Sequence, residues 1–372
     1  MANTIRVPVQ NPDGSPAMPT KSSRARRWVK TGKAIPVRND LDVYGVRLIS
    51  EPSGRNTQDI VLGIDPGKLF TGVGVVSSKA TLFKAHLQLP FKSVTKKMTT
   101  RRILRRARRG RRINRRIPYS QRCHRQKRFK NRRQKKLAPS IRANRQMELR
   151  VVKELLRLYP VVHIVYEKIE ARGNKGFSPV MVGQHIMVEW LSQLCPTTTQ
   201  SGWQTSNLRQ WLGLAKDKTN KANPTPETHS TDGITLAASY FIKWQEWAGN
   251  KSRGGHWVGE IQITRCPFAV ISRPQLYRRQ LHFENPVKGS PNCPEHRKRK
   301  GGTVTPFGFR SGDKVKAQKA GKSYIGWIGG YVEKRKQVSV YDINWHRIGQ
   351  FSVSKVQLVK RSTRLLSCVK VC

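Results

Sequence analysis

The chain has 372 residues, of which 73 are Lys or Arg and only 21 are Asp or Glu, so its formal net charge is +52. This excess argues against an ordinary soluble enzyme of small-molecule metabolism, because the folded chain would repel itself without a polyanion. Nucleic acid is the expected partner, since each neutralised phosphate releases counterions. The length predicts two or three domains. No stretch is apolar enough to span a membrane and no signal peptide begins the chain, so we expect a cytoplasmic location.

The first part of the chain predicts a small module followed by a sheet. A short strand is expected around residues 5–9, and a basic helical patch around residues 24–30. Three strand patterns follow, DIVLGID, GVGVV and ATLFKAHLQL, and the short turns between them favour an antiparallel meander. The first of these strands ends on Asp65, the one carboxylate in the apolar stretch VLGIDPGKLFTGVGVV. Burying that charge is costly unless a partner neutralises it.

An arginine-rich segment comes next. From Arg101 to Lys136, 19 of 36 positions are Lys or Arg, and no acid lies between Asp65 and Glu148. TTRRILRRARRGRRINRR predicts a helix that Pro118 ends. Its apolar residues fall on one stripe, which favours a helix docked by a narrow seam over a solvated, disordered tail. That stripe consists of Ile103, Ala107, Gly110, Ile113 and Ile117.

Two more acidic motifs follow at long distances. IRANRQMELRVVKELLRLYP has helical spacing, and the strand VVHIVYEKI after it carries Glu167 near its end. In HSTDGITLAASY, His229 and Asp232 are three residues apart and share one face at the start of a helix. Strand, strand, strand, helix, strand, helix is the core order. It predicts a mixed α/β fold.

The acids suggest a metal site. Asp65, Glu167 and Asp232 would repel one another if they converged, unless divalent cations lay between them. Two Mg²⁺ ions held in this way would clamp the attacking and leaving oxygens of a phosphodiester, and His229 could position or deprotonate the water. Each acid also has a structural interpretation on its own. Asp65 could cap a turn, Glu167 could pair with an arginine, and Asp232 could be an ordinary acid at a helix N-terminus.

The same motifs resemble a known family. GIDPGKLFTGVGVV, VVHIVYEKI and HSTDGITLAASY are similar, in that order, to the three motifs of RuvC-type nucleases, which have an RNase H-like fold. The arginine helix between the first two resembles the bridge helix of RNA-guided nucleases. PAMP at residues 16–19 resembles the PLMP module of the transposon-encoded IscB family, although Ala17 stands where that motif has Leu. RRQLHFENP and GGTVTPFGFRSGDKV resemble the start of that family's C-terminal module.

One absence narrows the resemblance. IscB proteins carry an HNH nuclease domain between the second and third RuvC motifs, but here only 61 residues separate Glu167 from His229, and His185 is the one histidine among them. The chain therefore resembles IsrB, the HNH-lacking relatives. This implies a prokaryotic, guide-RNA-dependent nickase that cuts the non-target DNA strand, with Asp65, Glu167, His229 and Asp232 as the catalytic site. It also implies a large structured guide RNA, one protein chain per RNA, and double-stranded DNA as the target.

The resemblance implies five segments. They are a PLMP-like module at 1–54, a first RuvC part at 55–95, the bridge helix and its extension at 96–137, RuvC parts two and three at 138–250, and a C-terminal module at 251–372. The last contains alternating strands that predict a small antiparallel barrel or curled sheet, and it would contact RNA and the target-adjacent motif.

Basic residues of three regions are expected to contact nucleic acid. They are Arg101, Arg102, Arg105, Arg106, Arg108, Arg109, Arg111, Arg112, Arg115 and Arg116 in the helix, Arg122, Arg125, Arg128, Arg132 and Arg133 in its extension, and Arg278, Arg279 and Lys314 in the C-terminal module. Two other functions stay open from sequence. One is a non-catalytic scaffold with structural acids, and the other is a junction resolvase that acts without RNA.

Overall fold

The computed structural model describes residues 5–111, 116–121, 137–170, 178–220, 222–247, 254–274 and 304–371. Within these ranges the chain forms three larger sheets, a two-stranded ribbon and six α-helices. The largest sheet contains both parallel and antiparallel strand pairs, and helices pack against it. The predicted mixed α/β fold is therefore confirmed.

A four-stranded sheet opens the chain. Its strands are β1 (Arg6–Gln10), β2 (Pro16–Lys21), β3 (Ala34–Arg38) and β4 (Tyr44–Leu48). They are ordered β2-β1-β4-β3, and helix α1 (Ser22–Lys30) packs its buried Ala25 against them. The strand and the helical patch predicted in this region are both present.

A seven-stranded sheet lies at the centre. Its strands are β5 (Ile60–Asp65), β6 (Phe70–Ser77), β7 (Ala80–Gln88), β8 (Val161–Lys168), β9 (Thr197–Ser201), β12 (Pro267–Ser272) and β18 (Leu366–Val371). The order is β18-β12-β7-β6-β5-β8-β9. β5, β6 and β7 form the predicted antiparallel meander, whereas β8 pairs with β5 in parallel and β9 with β8 in parallel. The chain returns to this sheet at its other edge through β12 and β18.

Five helices follow the meander. They are α2 (Phe91–Arg111), α3 (Pro139–Leu156), α4 (Pro179–Ser192), α5 (Gly202–Trp211) and α6 (His229–Ala238). α3 buries Met147, Val151 and Leu155 in the main core. α4, β9 and α5 fill the segment between the second and third acidic motifs, where the sequence did not predict any element.

α2 confirms the predicted helix over residues 99–111 and begins at Phe91, earlier than expected. The predicted docking of its apolar stripe is wrong at Ile103 and Ala107, whereas Ile117 beyond the helix is half-buried. Ile103 is 60% exposed, and Ala107 is also exposed. The helix contacts α3, but no described element covers the face that holds these two residues. Ile113 of the stripe is one of residues 112–115, which lie outside the described residues.

The remaining strands form a ribbon and a C-terminal sheet. The ribbon pairs β10 (Lys243–Glu246) with β11 (Gly255–Val258). The sheet contains β13 (Lys314–Lys319), β14 (Lys322–Val332), β15 (Gln337–Tyr341), β16 (Arg347–Ser352) and β17 (Val356–Lys360), all antiparallel, in the order β16-β15-β14-β13-β17. An antiparallel sheet was expected here. Its own core includes Val315, Ile328 and Val340.

Glycines let α6 lie against the central sheet at backbone distance. A Cβ added to Gly72 of β6 would be 1.7 Å from the carbonyl oxygen of His229, and one added to Gly63 of β5 would be 2.1 Å from that of Gly233. Only a residue without a side chain fits at these two strand positions. The first turn of α6 is thereby held directly over the end of β5.

Candidate active site

Asp65 and Glu167 lie side by side at one edge of the central sheet. β5 and β8 are parallel neighbours, and Ile64 pairs with Tyr166 in their register. The next residue of each strand therefore extends to the same edge, where the carboxyl ends of parallel strands meet. Residues 102 positions apart in sequence become neighbours through a single strand pairing.

The two carboxyl groups lie within hydrogen-bonding reach of each other, and the charge of one opposes the charge of the other. Burial raises the pKa of Glu167 to about 9, and the charge of Asp65, the hydrogen bond to it and the charge of Asp232 add to that shift. Burial also opposes the charge on Asp65, but His229, Glu167 and the charge of Lys216 together lower the Asp65 pKa below its usual value. Near neutral pH the pair thus holds one proton, on Glu167.

α6 brings His229 to the same place. His229 Nδ1 lies 3.7 Å from Asp65 Oδ2, too long for a full hydrogen bond but close enough to favour an ionised carboxylate. The imidazole stacks on the Phe70 ring, with 5.5 Å between the ring centres, and meets the His86 ring edge to face, with 5.3 Å between the centres. Its Nε2 is buried and has no hydrogen-bond partner among the described residues. That nitrogen is available to a water molecule or a substrate atom.

His86 is a second imidazole of the site. It is fully buried on β7, and its Nδ1 lies 3.2 Å from Thr228 Oγ1. Burial lowers the pKa of His86 to about 3, and the neighbouring His229 adds to that effect. His86 is therefore neutral at physiological pH, and it contributes packing and a fixed dipole beside His229.

Asp232 has a different environment from the other two acids. Its Oδ1 accepts a hydrogen bond of 2.5 Å from Arg209 Nη1, and its Oδ2 accepts one from Lys216 Nζ. The Asp232 and Arg209 side chains are 6% and 8% exposed, so both ion pairs are largely removed from water. The charge of Lys216 also opposes the upward pKa shift of Glu167 and favours the charge on Asp65. Lys216 therefore lies among all three acids.

The site fits a divalent cation in part. Among the residues described, no group of three Asp, Glu, His or Cys side chains is arranged to hold a metal ion. The Asp65–Glu167 pair does have suitable chemistry, because its oxygens are hard ligands that lie close to each other, and a cation would relieve the opposition between their charges. Asp232 is not available in the same way, since Arg209 and Lys216 neutralise it.

A buried network holds the turn that follows Asp65. Arg145 of α3 donates to Tyr166 Oη at 2.5 Å and to the carbonyl oxygen of Gly67 at 3.2 Å. It also forms a 2.9 Å ion pair with Glu148, which accepts a 2.6 Å hydrogen bond from Thr71 Oγ1. Arg145 and Glu148 are each 1% exposed. α3 thereby fixes the turn after Asp65 and links it to Tyr166 of the neighbouring strand β8.

The basic residues expected to contact nucleic acid fall into three groups. Arg101, Arg102, Arg105, Arg106 and Arg108 project from α2 with exposed side chains, Arg109 and Arg111 belong to its last turn, and Arg116 is exposed beyond it. The second group lies outside the described residues; it comprises Arg112, Arg115, Arg122, Arg125, Arg128, Arg132, Arg133, Arg278 and Arg279.

Lys314 forms the third group alone, because it has partners within the protein. Its Nζ donates to Asp42 Oδ2 and lies 5.7 Å from the centre of the Trp327 ring. Its side chain is 18% exposed. This lysine links β13 to the N-terminal sheet, and its predicted contact with DNA stays a prediction.

The structure brings the four sequence-predicted acidic and imidazole residues together at one site. Sequence reasoning missed Arg209, Lys216, His86 and the Arg145–Glu148 pair. One signal was available for His86, since it lies on the polar-facing side of ATLFKAHLQL between Lys84 and Gln88. Lys216 and Arg209 gave none, because their role depends on how the segment between α5 and α6 folds back.

Comparison with known proteins adds the following. Residues 7–175 match the family model of RRXRR proteins. This range includes Asp65, Glu167 and the sequence RRARR at residues 105–109. Two solved structures of RuvC from Thermus thermophilus resemble part of the chain, one in complex with a Holliday junction substrate at 14% identity and one of RuvC itself at 13%. Each match has a TM-score of 0.27 and covers 48% of this chain and 90% of the RuvC chain. No curated protein gives a significant match.

None of the helices described is both long and apolar enough to cross a membrane. The function of the site must follow from its own geometry and from the charge around it.

Proposed function

We propose that the chain is a magnesium-dependent DNA endonuclease with an RNase H-like core, directed by a structured guide RNA to nick the non-target strand of an R-loop. The hydrogen-bonded carboxyl pair of Asp65 and Glu167 carries this proposal. Two acids that share one proton at the open edge of a sheet form a site where a divalent cation replaces that proton. A fold has no structural need for such a pair, which burial and repulsion both disfavour.

The residues of the site have separate roles in this proposal. Asp65 and Glu167 would hold the metal ion, which when bound lowers the pKa of water and stabilises charge on a phosphodiester. His229 presents its buried, unpaired Nε2 to accept or orient a proton of the attacking water. Neutral His86 and Phe70 keep the His229 ring in place by contact on two sides. Arg145 and Glu148 hold the turn after Asp65, so the carboxylate does not move when charge changes.

The nucleic-acid partner is supported by the charge distribution. Exposed arginines surround α2, and the face that holds Ile103 and Ala107 is uncovered within the described part of the chain. Arginine binds phosphate through a planar fork and stacks on bases, so such a helix suits a bent or folded RNA. The match of residues 7–175 to the RRXRR family includes this helix and agrees with the proposal. Base pairing by the guide would then supply sequence specificity that the protein alone lacks.

The test is a nicking assay with the protein purified together with its RNA. Sequencing that RNA identifies the guide, and a supercoiled plasmid with a matching target provides the substrate. We expect Mg²⁺-dependent conversion to the nicked circle, loss of nicking of about 10³-fold or more in Asp65→Asn, and unchanged RNA binding in that variant. Asp59→Asn is the matched control, because Asp59 is an exposed acid just before the same strand.

Other outcomes would support other functions. Cleavage of branched DNA by RNA-free protein, with no dependence on a guide, would indicate a junction resolvase. Tight RNA binding without nicking under any guide or metal would indicate a scaffold with structural acids. A purified protein that carries no discrete RNA would overturn the guided mechanism.

A further inference from the structure

Lys216 holds an unusual position among the acids of the site. It lies in the segment between α5 and α6, and its ammonium group contacts Asp232 Oδ2 directly. Its charge also acts on Asp65 and on Glu167. A lysine that interacts with three converging carboxylates occupies the electrostatic role that a second divalent cation would otherwise have.

The backbone around Lys216 is fixed on both sides. Thr231 Oγ1 of α6 donates to the carbonyl oxygen of Ala215 at 3.3 Å, and Leu214 N donates to that of Arg209 at 3.1 Å. Arg209 is itself held by Ser206 Oγ, 3.1 Å from its Nη2. Hydrogen bonds to both flanking helices therefore hold the segment that places Lys216 beside Asp232.

Charge balance favours one metal ion beside this lysine. With all three acids ionised, Arg209, Lys216 and one divalent ion leave a single excess positive charge, which one phosphodiester neutralises. A second divalent ion would leave two further positive charges without a counterion in a largely buried site, at a high electrostatic cost. The sequence alone predicts two ions because it shows the three acids and not the two cations that fold onto Asp232.

We infer that Lys216 takes the place of a second metal ion, so that the site holds one divalent cation, on Asp65 and Glu167, with Asp232 reserved for Lys216 and Arg209. This inference rests on the proposed nuclease function, and it changes how that function is carried out. Lys216 is then a positioning residue that keeps Asp232 from binding metal. Its removal should create a second metal site.

Counting bound Mn²⁺ tests this directly. Full-length protein freed of nucleic acid at high salt is titrated with Mn²⁺, and bound ions are counted by electron paramagnetic resonance. Counterparts that carry both Asp65→Asn and Asp232→Asn are subtracted to remove weak surface sites. We expect one Asp65-dependent Mn²⁺ per wild-type chain, and in Lys216→Met a second Mn²⁺ that Asp232→Asn removes. Lys216→Arg, which keeps the charge, should return the count to one. Lys218→Met removes an exposed lysine from the same segment and should also leave it at one.

A thermal measurement gives an independent readout. Without metal, Lys216→Met should unfold at a lower temperature than wild type, because Asp232 loses a partner, and added Mg²⁺ should raise its Tm more than it raises that of wild type. If Lys216→Met does not fold, the wild-type count still decides the question. The nicking rate should depend on the Mg²⁺ concentration to first order in wild type and to a higher order in Lys216→Met.

Two results would overturn the inference. A wild-type count of two Asp65-dependent ions would do so and leave the nuclease proposal standing. A count of one in Lys216→Met, equal in affinity to that in Lys218→Met, would show that Asp232 does not bind metal even when released. No Asp65-dependent ion in any of these proteins would overturn both this inference and the metal-dependent nuclease.

Discussion

The acid site at the end of β5 and the arginine helix α2 differ in how their charges are neutralised. Around Asp65, nearly every charged group is buried and has an opposite charge or a shared proton within the chain. On α2, Arg101 to Arg108 project into solvent, and the apolar residue Ile103 is 60% exposed between them. The charges of the acid site are therefore largely balanced within the protein itself. The helix instead presents charge and apolar surface that a second molecule would satisfy.

This difference predicts how the two regions tolerate change. Substitutions at the acid site should reduce the stability of the protein, because its parts are closely packed and desolvated. Substitutions on α2 should leave stability almost unchanged and affect only the affinity for a polyanion. The predictions below follow that order, from the largest expected effect on folding to the smallest.

Gly72→Ala should have the largest effect. The new Cβ would lie 1.7 Å from the carbonyl oxygen of His229, so β6 and α6 must separate where they now touch. We expect a loss of at least about 3 kcal/mol in the free energy of unfolding, measured by chemical denaturation, and loss of nicking. Gly330→Ala is the control, since a Cβ there meets nothing within 4 Å. Wild-type stability of Gly72→Ala would show that α6 does not approach the sheet in this way.

Arg145→Met should have the next largest effect. It leaves Glu148, 1% exposed, without its cation, and it frees Tyr166 and the Gly67 carbonyl. Because burial already raises the pKa of Glu148, that acid can take up a proton, which limits the expected loss to about 2 kcal/mol.

A double-variant cycle sharpens the Arg145 prediction. The double variant with Arg145→Met and Glu148→Gln should lose less free energy of unfolding than the sum of the two single losses, because it no longer buries an unpaired charge. Arg142→Met, on the exposed face of the same helix, should have little effect. Additive losses in the cycle would show that the two residues do not act as a pair.

Local sequence patterns were sufficient for some elements and not for others. The strand β5, its end at Asp65 and the helix start at His229 were predicted because short apolar runs and turn residues define them locally. The meander of β5, β6 and β7 also depends on neighbours in sequence. β12 and β18 join the same sheet from residues 267 and 366 onward, and no local pattern indicates which sheet a strand will join.

The candidate site shows the same division. Asp65, Glu167, His229 and Asp232 stand out because acids are scarce and each lies at the end of an element. Lys216 and Arg209 are two cations among 73, and only the packing of α5 against α6 distinguishes them. In a chain this basic, a functional acid is visible in the sequence and a functional lysine is hidden. The number of metal ions is therefore the part of the site that the sequence alone constrains least.

The shared proton makes stability depend on pH. The Glu167 pKa, about 9 in the folded protein and ordinarily 4.5, means that its contribution to stability is fully present below about pH 4.5 and is lost as the pH rises through 9. The lowered pKa of Asp65 acts in the opposite sense, but only near or below 3.8. With EDTA present, the Tm should therefore fall between about pH 6.5 and pH 9. Below pH 6.5 the pKa of His86, about 3 against an ordinary 6.5, acts in the opposite sense and offsets the fall.

Metal and substitution should both alter that pH dependence. In the proposed function Mg²⁺ would replace the proton, so the stabilising effect of Mg²⁺ should grow as the pH rises over the same range. Glu167→Gln should flatten the curve above pH 6.5 and leave there the fall that Glu148 contributes with the same sign. We expect a smaller effect than that of Gly72→Ala, since only a proton is lost and no backbone contact is broken. A Tm that rises from pH 6.5 to pH 9 without metal would contradict a protonated Glu167.

Substitutions on α2 should have the smallest effect on folding. Arg105→Gln and Arg108→Gln remove exposed guanidinium groups that have no buried contact, so the Tm should not change. The affinity for the copurified RNA should fall, and the slope of log K against log salt should become shallower by about 0.7–0.9 for each arginine that contacts a phosphate. Lys355→Gln removes an exposed cation between β16 and β17 and serves as the control. It should leave the Tm unchanged and change the slope by less than an arginine substitution on α2 does. Loss of stability in the arginine variants, with an unchanged salt slope, would mean that α2 is part of the folded core rather than a surface for a partner.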